Sequence, residues 1–199
     1  MQIAILGSGS WATALAKLLT TNGHSIQWCL RSQAAVDFML RRRHNQHYLS
    51  SVLFDTSRLQ LHTEVATAVA AADAVLICIP SSYLLDSLQD LPPNVFAGKK
   101  MISAVKGILP NAEHQLLNEW LAANFGVATE DYFTIMGPCH AEEVAAEKLS
   151  YLTFSGEDVA TAAAIAALFK TDYLNTVVNH DIWGTQYAAV LKNIYAVGA

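Results

Sequence analysis

The most constraining feature of this chain is its opening: the run QIAIL is followed at once by Gly7-Ser8-Gly9-Ser10-Trp11-Ala12 and then by a stretch rich in alanine and leucine. A GxGxxG/A pattern carries meaning only when it follows a strand and opens a helix, and both flanks here have that character. In that setting the first glycine makes the tight turn and the second lets a pyrophosphate approach the backbone. The third small residue lets the helix close on the strand. Free N–H groups of the first helical turn, aided by the helix dipole, then bind phosphate oxygens. Gly7, Gly9, Ser10, Trp11 and Ala12 are therefore candidate dinucleotide-binding residues, with an ordinary glycine turn as the alternative.

The rest of the chain repeats the same alternation. Strands are expected at 2–6, 25–30, 74–79, 100–105, 132–136, 149–154 and 173–178. Helices are expected at 11–20, from Ser32 to about 42, and at 64–72, 82–89, 112–124, 141–146 and 157–169. The stretch 44–58 reads as polar and irregular. Asp181 would cap a final helix. Strands alternating with helices at this spacing mean βαβ units and a mainly parallel sheet, an α/β Rossmann-type fold with helices on both faces.

A chain of 199 residues, 53% hydrophobic and 15% charged, is long enough to bury a core and too apolar for disorder. Its net charge of −5 argues against a nucleic-acid surface, and no apolar run approaches the about 20 residues of a membrane span. Cys29, Cys78 and Cys139 are odd in number and widely spaced, and no histidine shows metal-ligand spacing. The expectation is a reduced, cytoplasmic protein without a metal site. The last helix is apolar through Val190, Leu191, Ile194 and Val197, which suggests that it continues into a second domain. The division expected is 1–179 for the dinucleotide-binding domain and 180–199 for the first helix of a helical substrate domain.

Arg31 follows the second strand where NAD-selective folds place an acidic residue; an arginine there suits a 2′-phosphate, which favours NADPH over NADH. Arg41, Arg42 and Arg43 read as a solvated helix end. Lys106-Gly107 and Gly137-Pro138-Cys139-His140-Ala141 each follow a strand, at the end where open parallel sheets gather ligands. Lys192-Asn193 lies on the final helix, with Ala188 and Ala189 one turn earlier leaving room for a ligand.

These segments together, GSGSWATALA, IPS at 79–81, AVKGI at 104–108, GPCHAEEVA at 137–145 and LKN at 191–193, resemble in order the bacterial-type NAD(P)-dependent glycerol-3-phosphate dehydrogenase family. Tyr48-Leu49 falls where that family has YLP. The resemblance runs from Gln2 to Ala199 and implies the dinucleotide-binding half of an enzyme that reduces dihydroxyacetone phosphate to glycerol 3-phosphate for phospholipid synthesis. By position it implies that Ser10, Trp11, Arg31 and Ala141 touch the dinucleotide and that Lys106 meets both cofactor and substrate. It further implies that Gly137 and Cys139 line the substrate site and that Lys192 donates or accepts the proton. A lysine in that role stabilises charge growing on the carbonyl oxygen, and in reverse must be neutral, so its pKa must fall through burial or a second cation such as Lys106. A homodimer is compatible with the full-length protein.

The chain departs from the family at Ala12 for the third glycine, Ser50 for the proline of YLP, Cys139 for Ser or Thr, and Gln186 for Glu. The family's later helical domain, which grips glycerol phosphate, is not in these residues. Two other readings are a non-catalytic dinucleotide-binding module and a related β-hydroxyacid-type dehydrogenase; GPCHAEEVA and AVKGI argue against the latter.

Overall fold

The computed structural model describes residues 1–198, the side chains of Asn193 and Ala196 excepted. The first strand, β1 (Ile3–Leu6), leads through the glycine loop into α1 (Ser10–Thr21) and back to β2 (Ile26–Cys29). Then come α2 (Gln33–Arg42), β3 (Leu59–His62), α3 (Val65–Ala70) and β4 (Ala74–Ile77). The chain goes on through α4 (Ser81–Leu88), β5 (Lys100–Ser103), α5 (Leu117–Phe125) and β6 (Tyr132–Met136). It finishes with α6 (Ala141–Ala145), β7 (Ser150–Gly156), α7 (Val159–Phe169), β8 (Leu174–Asn179) and α8 (Ile182–Gly198). One sheet joins all eight strands in the order β3-β2-β1-β4-β5-β6-β7-β8.

Every strand pair is parallel except β6 with β7. Because β1 pairs with β2 on one side and β4 on the other, the strand order reverses there. That switch point opens a crevice beyond the carboxyl ends of the strands. Side-chain alternation along β1 explains how the sheet is covered. Ile3 and Ile5 join the core beneath α1, α2, α6 and α7, while Ala4 and Leu6 join the core beneath α3, α4 and α5. All residues of β1, β2 and β4 are buried, as near-continuous apolar runs in a two-faced parallel sheet require. Gln27 is the polar exception in β2: its amide donates to Gln60 at 2.7 Å, and its oxygen lies 2.6 Å from His62 Nε2.

Two segments differ from the sequence expectation, and one strand departs from the parallel majority. The strand β3 was not anticipated, because LQLH is short, half polar and at the sheet edge, so it carries no continuous apolar signal. The helix expected over 112–124 begins only at Leu117. Asn111 ties the preceding residues into a turn, accepting from the Gln115 N–H at 3.2 Å, and the Glu119 carboxylate accepts the Leu116 N–H at 2.9 Å. Beyond β6 the chain returns after a single five-residue helix and β7 runs antiparallel. Ser32 caps α2 as expected, accepting the Ala35 N–H.

Candidate functional site

The glycine loop is held by its own carbonyls. Gly7 adopts φ 121°, and a Cβ there would lie 2.7 Å from the Cys78 carbonyl oxygen, so the turn against β4 requires glycine. The Trp28 indole N–H donates to the Gly7 carbonyl at 2.8 Å. The Asn45 amide donates to the Ser8 carbonyl at 3.0 Å and to the Thr13 hydroxyl at 2.9 Å, and that hydroxyl donates to the Gly9 carbonyl at 2.9 Å. Three successive acceptors are thus taken up by the protein. The first N–H groups of α1, which have no partner within the helix, are left to present to a ligand. A Cβ on Gly9 would meet nothing within 4 Å, so the space above the loop is open. Ala12 is fully buried where α1 closes on the sheet. Trp28 and Asn45 are supports that sequence reasoning missed; Asn45 lies in the stretch read as irregular, and nothing local signals its role.

Three clefts follow one another along the strand ends. The first, beside the loop, is lined by Ser8, Arg31, Ser32, Asn45, His47 and Tyr48, with Arg31 exposed. Arg41 and Arg43 turn back onto the chain, donating to the Asp37 and Phe54 carbonyls, and none of Arg41, Arg42 or Arg43 lines this cleft. The second, of about 350 Å³, is lined by Ser10, Trp11, Cys78, Lys106, Cys139 and Ala141. The third, of similar size, is lined by Lys106, Gly137, Asp181, Thr185, Ala188 and Lys192. Lys106 is the candidate residue common to the second and third clefts.

Local backbone explains these placements. Gly107, at φ 128°, lets the turn after β5 pass Ser81: a Cβ there would lie 3.0 Å from the Ser81 hydroxyl, so the IPS and VKG segments meet. Gly137 packs so closely on the Tyr151 carbonyl that a side chain would collide with it. The Lys106 ammonium lies 5.4 Å from the centre of the Trp11 ring. Its pKa is held below the ordinary lysine value, chiefly by burial and then by the charge of Lys192, with Cys139 acting in the opposite sense. So the structure brings Lys106 and Lys192 to one cleft, although 86 positions apart in sequence.

Cys139 and Gly137 line different clefts. Cys139 is buried, lines the cleft with Ser10 and Trp11 and not the one reached by Lys192, and its thiol donates to the Tyr151 carbonyl at 2.9 Å. Gln186 faces inward and lines none of these three clefts, bonded to Tyr132 and Asn118. The Asn193 side chain of the LKN segment lies outside the described residues. Asp181 and Thr185, which line the cleft with Lys192, were not singled out as site residues; Asp181 signals itself only as a cap, accepting the Gly184 N–H at 2.8 Å.

Comparison with known proteins gives a consistent result. Residues 2–162 match the family model described as NAD-dependent glycerol-3-phosphate dehydrogenase N-terminus. The glycerol-3-phosphate dehydrogenase [NAD(P)+] of Enterococcus faecalis is 34% identical over 199 residues, covering 100% of this chain and 58% of that protein. The one from Chlorobium limicola is 33% identical over 200 residues, covering 100% and 60%. Among solved structures, the glycerol-3-phosphate dehydrogenase of Coxiella burnetii superposes with a TM-score of 0.88 at 26% identity, covering 98% of this chain and 59% of that one. An imine reductase from Pseudomonas sp. shares the fold, with a TM-score of 0.68 at 16% identity, covering 99% and 62%. The chain therefore spans less than two thirds of the curated relatives it matches.

Proposed function

Since this chain belongs to the NAD-dependent glycerol-3-phosphate dehydrogenase family and matches its N-terminal part, we propose that it forms the dinucleotide-binding half of an enzyme interconverting dihydroxyacetone phosphate and glycerol 3-phosphate. The observation that carries this reading is the position of Lys106, common to the cleft beside the glycine loop and the cleft reached by Lys192. The residues present fit a nicotinamide dinucleotide. The loop carbonyls are engaged, the space over Gly9 is open, and small or compact residues, Ser10 and Ala141, flank the cleft that follows. When bound, the nicotinamide supplies or takes the hydride.

In this proposal Ser10, Trp11, Ala12 and Ala141 seat the dinucleotide, Gly7 and Gly9 shape its pyrophosphate site, and Arg31 receives a 2′-phosphate, favouring NADPH over NADH. Lys192 holds the proton given to the carbonyl oxygen. Lys106, half-buried, and Lys192, exposed, together stabilise negative charge as it grows there. The lowered Lys106 pKa reflects burial first and then the charge of Lys192, so the two ammonium groups act on one another across the cleft. Gly137 lines the substrate side. Cys139 enters through the backbone it braces, not by its thiol.

The division we propose is 1–179 for the dinucleotide domain and 180–199 for the opening helix of a substrate domain. The start of α8 is buried against the sheet through Ile182, whereas Leu191, Ile194, Tyr195 and Val197 are exposed. We also assign the enzyme to the cytoplasm, where Cys29, Cys78 and Cys139 would stay free. Among the described residues no helix is long and apolar enough to cross a membrane.

The test compares this chain with a version extended by the remaining two fifths of a relative. The extended protein should oxidise NADPH on addition of dihydroxyacetone phosphate, and this chain should bind NADPH but turn over poorly. Lys192→Ala in the extended protein should abolish turnover and spare binding. An extended protein that binds NADPH but never consumes it with this substrate would contradict the reading.

A further inference from the structure

Among the described side chains of α8, only Ile182 and Gln186 are buried, one helical turn apart. Ile182 joins the apolar core formed with α5, which any helix of this kind could do. Gln186 is the unusual member. Its oxygen accepts the Tyr132 hydroxyl at 3.0 Å, and its amide donates to Asn118 Oδ1 at 3.0 Å and to the Ile182 carbonyl at 3.3 Å. All three side chains are buried, and they come from α8, β6 and α5. Such a buried amide has directional partners on two other elements, so it fixes both the rotation and the axial position of its helix in a way an apolar contact does not.

We infer that Gln186 is the positioning residue of the cleft: by pinning α8 to Tyr132 and Asn118 it sets where Lys192 stands relative to Lys106. Lys192 lies six residues further along the same helix, about 9 Å along the axis at 1.5 Å per residue. From Tyr187 onward the helix buries no described side chain, so nothing later corrects an error in its seat. The exposed Asp181 caps the first turn, and the half-buried Thr185 makes one hydroxyl contact to the buried Ser155 at 2.8 Å, against the three bonds made by Gln186. Gln186 lines none of the three clefts described, so it acts on them through the helix it holds.

The inference rests on the proposed roles of Lys106 and Lys192, but its test needs neither dinucleotide nor substrate, so the two can fail separately. The groups sharing a cleft with Lys106 include Lys192 and Asp181 on one side and the Trp11 ring, Cys139, His140 and Glu142 on the other; of these, Lys192 lowers its pKa and Cys139 raises it. Its titration can be followed by pH-dependent acylation and peptide mass spectrometry on this chain. Gln186→Met keeps length and removes all three bonds. It should raise the Lys106 midpoint, because Lys192 no longer stands close. Lys192→Ala should raise it as well, and in that background most of the Gln186→Met shift should vanish. Ile165→Ala, a cavity in the core on the opposite face of the sheet, should leave Lys106 where it was. If Gln186→Met fails to fold, Tyr132→Phe withdraws one of the bonds while keeping the ring, and a smaller upward shift is expected. An unmoved or lowered midpoint in a folded Gln186→Met or, failing that, Tyr132→Phe chain overturns the inference, as does an equal shift from Ile165→Ala.

Discussion

The ammonium of Lys106 stands over the face of the Trp11 indole, 5.4 Å from the ring centre, and so joins the glycine-loop helix to the end of β5. A cation over an aromatic face gains from the ring quadrupole, by about 0.5–1 kcal/mol where solvent reaches the pair. In a double-mutant cycle on urea unfolding, Trp11→Leu and Lys106→Met should show a favourable coupling of that size. A coupling indistinguishable from zero would mean that the two groups merely lie close.

The lowered pKa of Lys106 has a consequence for stability. The folded chain releases this proton at lower pH than the unfolded chain, so over the interval between the two values the unfolded state holds more protons. Stability from this group therefore rises with pH through that interval, and below it the charged lysine is a net cost. Relative to Lys106→Met, the parent should be less stable at neutral pH and should close the difference as pH rises towards the ordinary lysine value. A parent that is the more stable at neutral pH would show that the burial cost is offset elsewhere.

Two glycines of the loop should separate folding from binding. Gly7→Ala forces a side chain against the Cys78 carbonyl at φ 121° and should cost about 1–3 kcal/mol of stability. Gly9→Ala adds a methyl group where nothing lies within 4 Å, so thermal unfolding should barely move. That methyl group nonetheless occupies the path of a pyrophosphate to the backbone, and dinucleotide binding should be lost. Equal destabilisation by both substitutions would contradict the division of labour.

These contrasts show what the linear sequence reveals. The glycine loop was legible because a tight turn and a close ligand approach each demand a residue type, and β1 and β4 because strands buried on both faces must be continuously apolar. The edge strand β3 was not, since one exposed side relaxes that demand; the late start of α5 was not, since Asn111 holds its turn through its side chain. Candidate site residues were legible one at a time. Their assembly was not: neither the meeting of Lys106 with Lys192 nor the turning of Cys139 onto Tyr151 follows from spacing along the chain, because both depend on how α8 and β7 settle against β6.

Arg31 stands exposed in the cleft with Ser8, Ser32 and Tyr48, at the end of the strand following α1. Arg31→Asp replaces the proposed partner of a 2′-phosphate by a side chain that repels it and can accept the ribose hydroxyl. The ratio of NADPH to NADH affinity should fall and reverse. An unchanged ratio would assign phosphate recognition to other residues.

That this chain is a nicotinamide-dinucleotide-binding unit can be tested by fluorescence titration of the 199-residue chain with NADPH and with NADH. Saturable binding of both is expected, tighter for NADPH, with binding lost in Gly9→Ala. A folded chain that binds neither dinucleotide would contradict it.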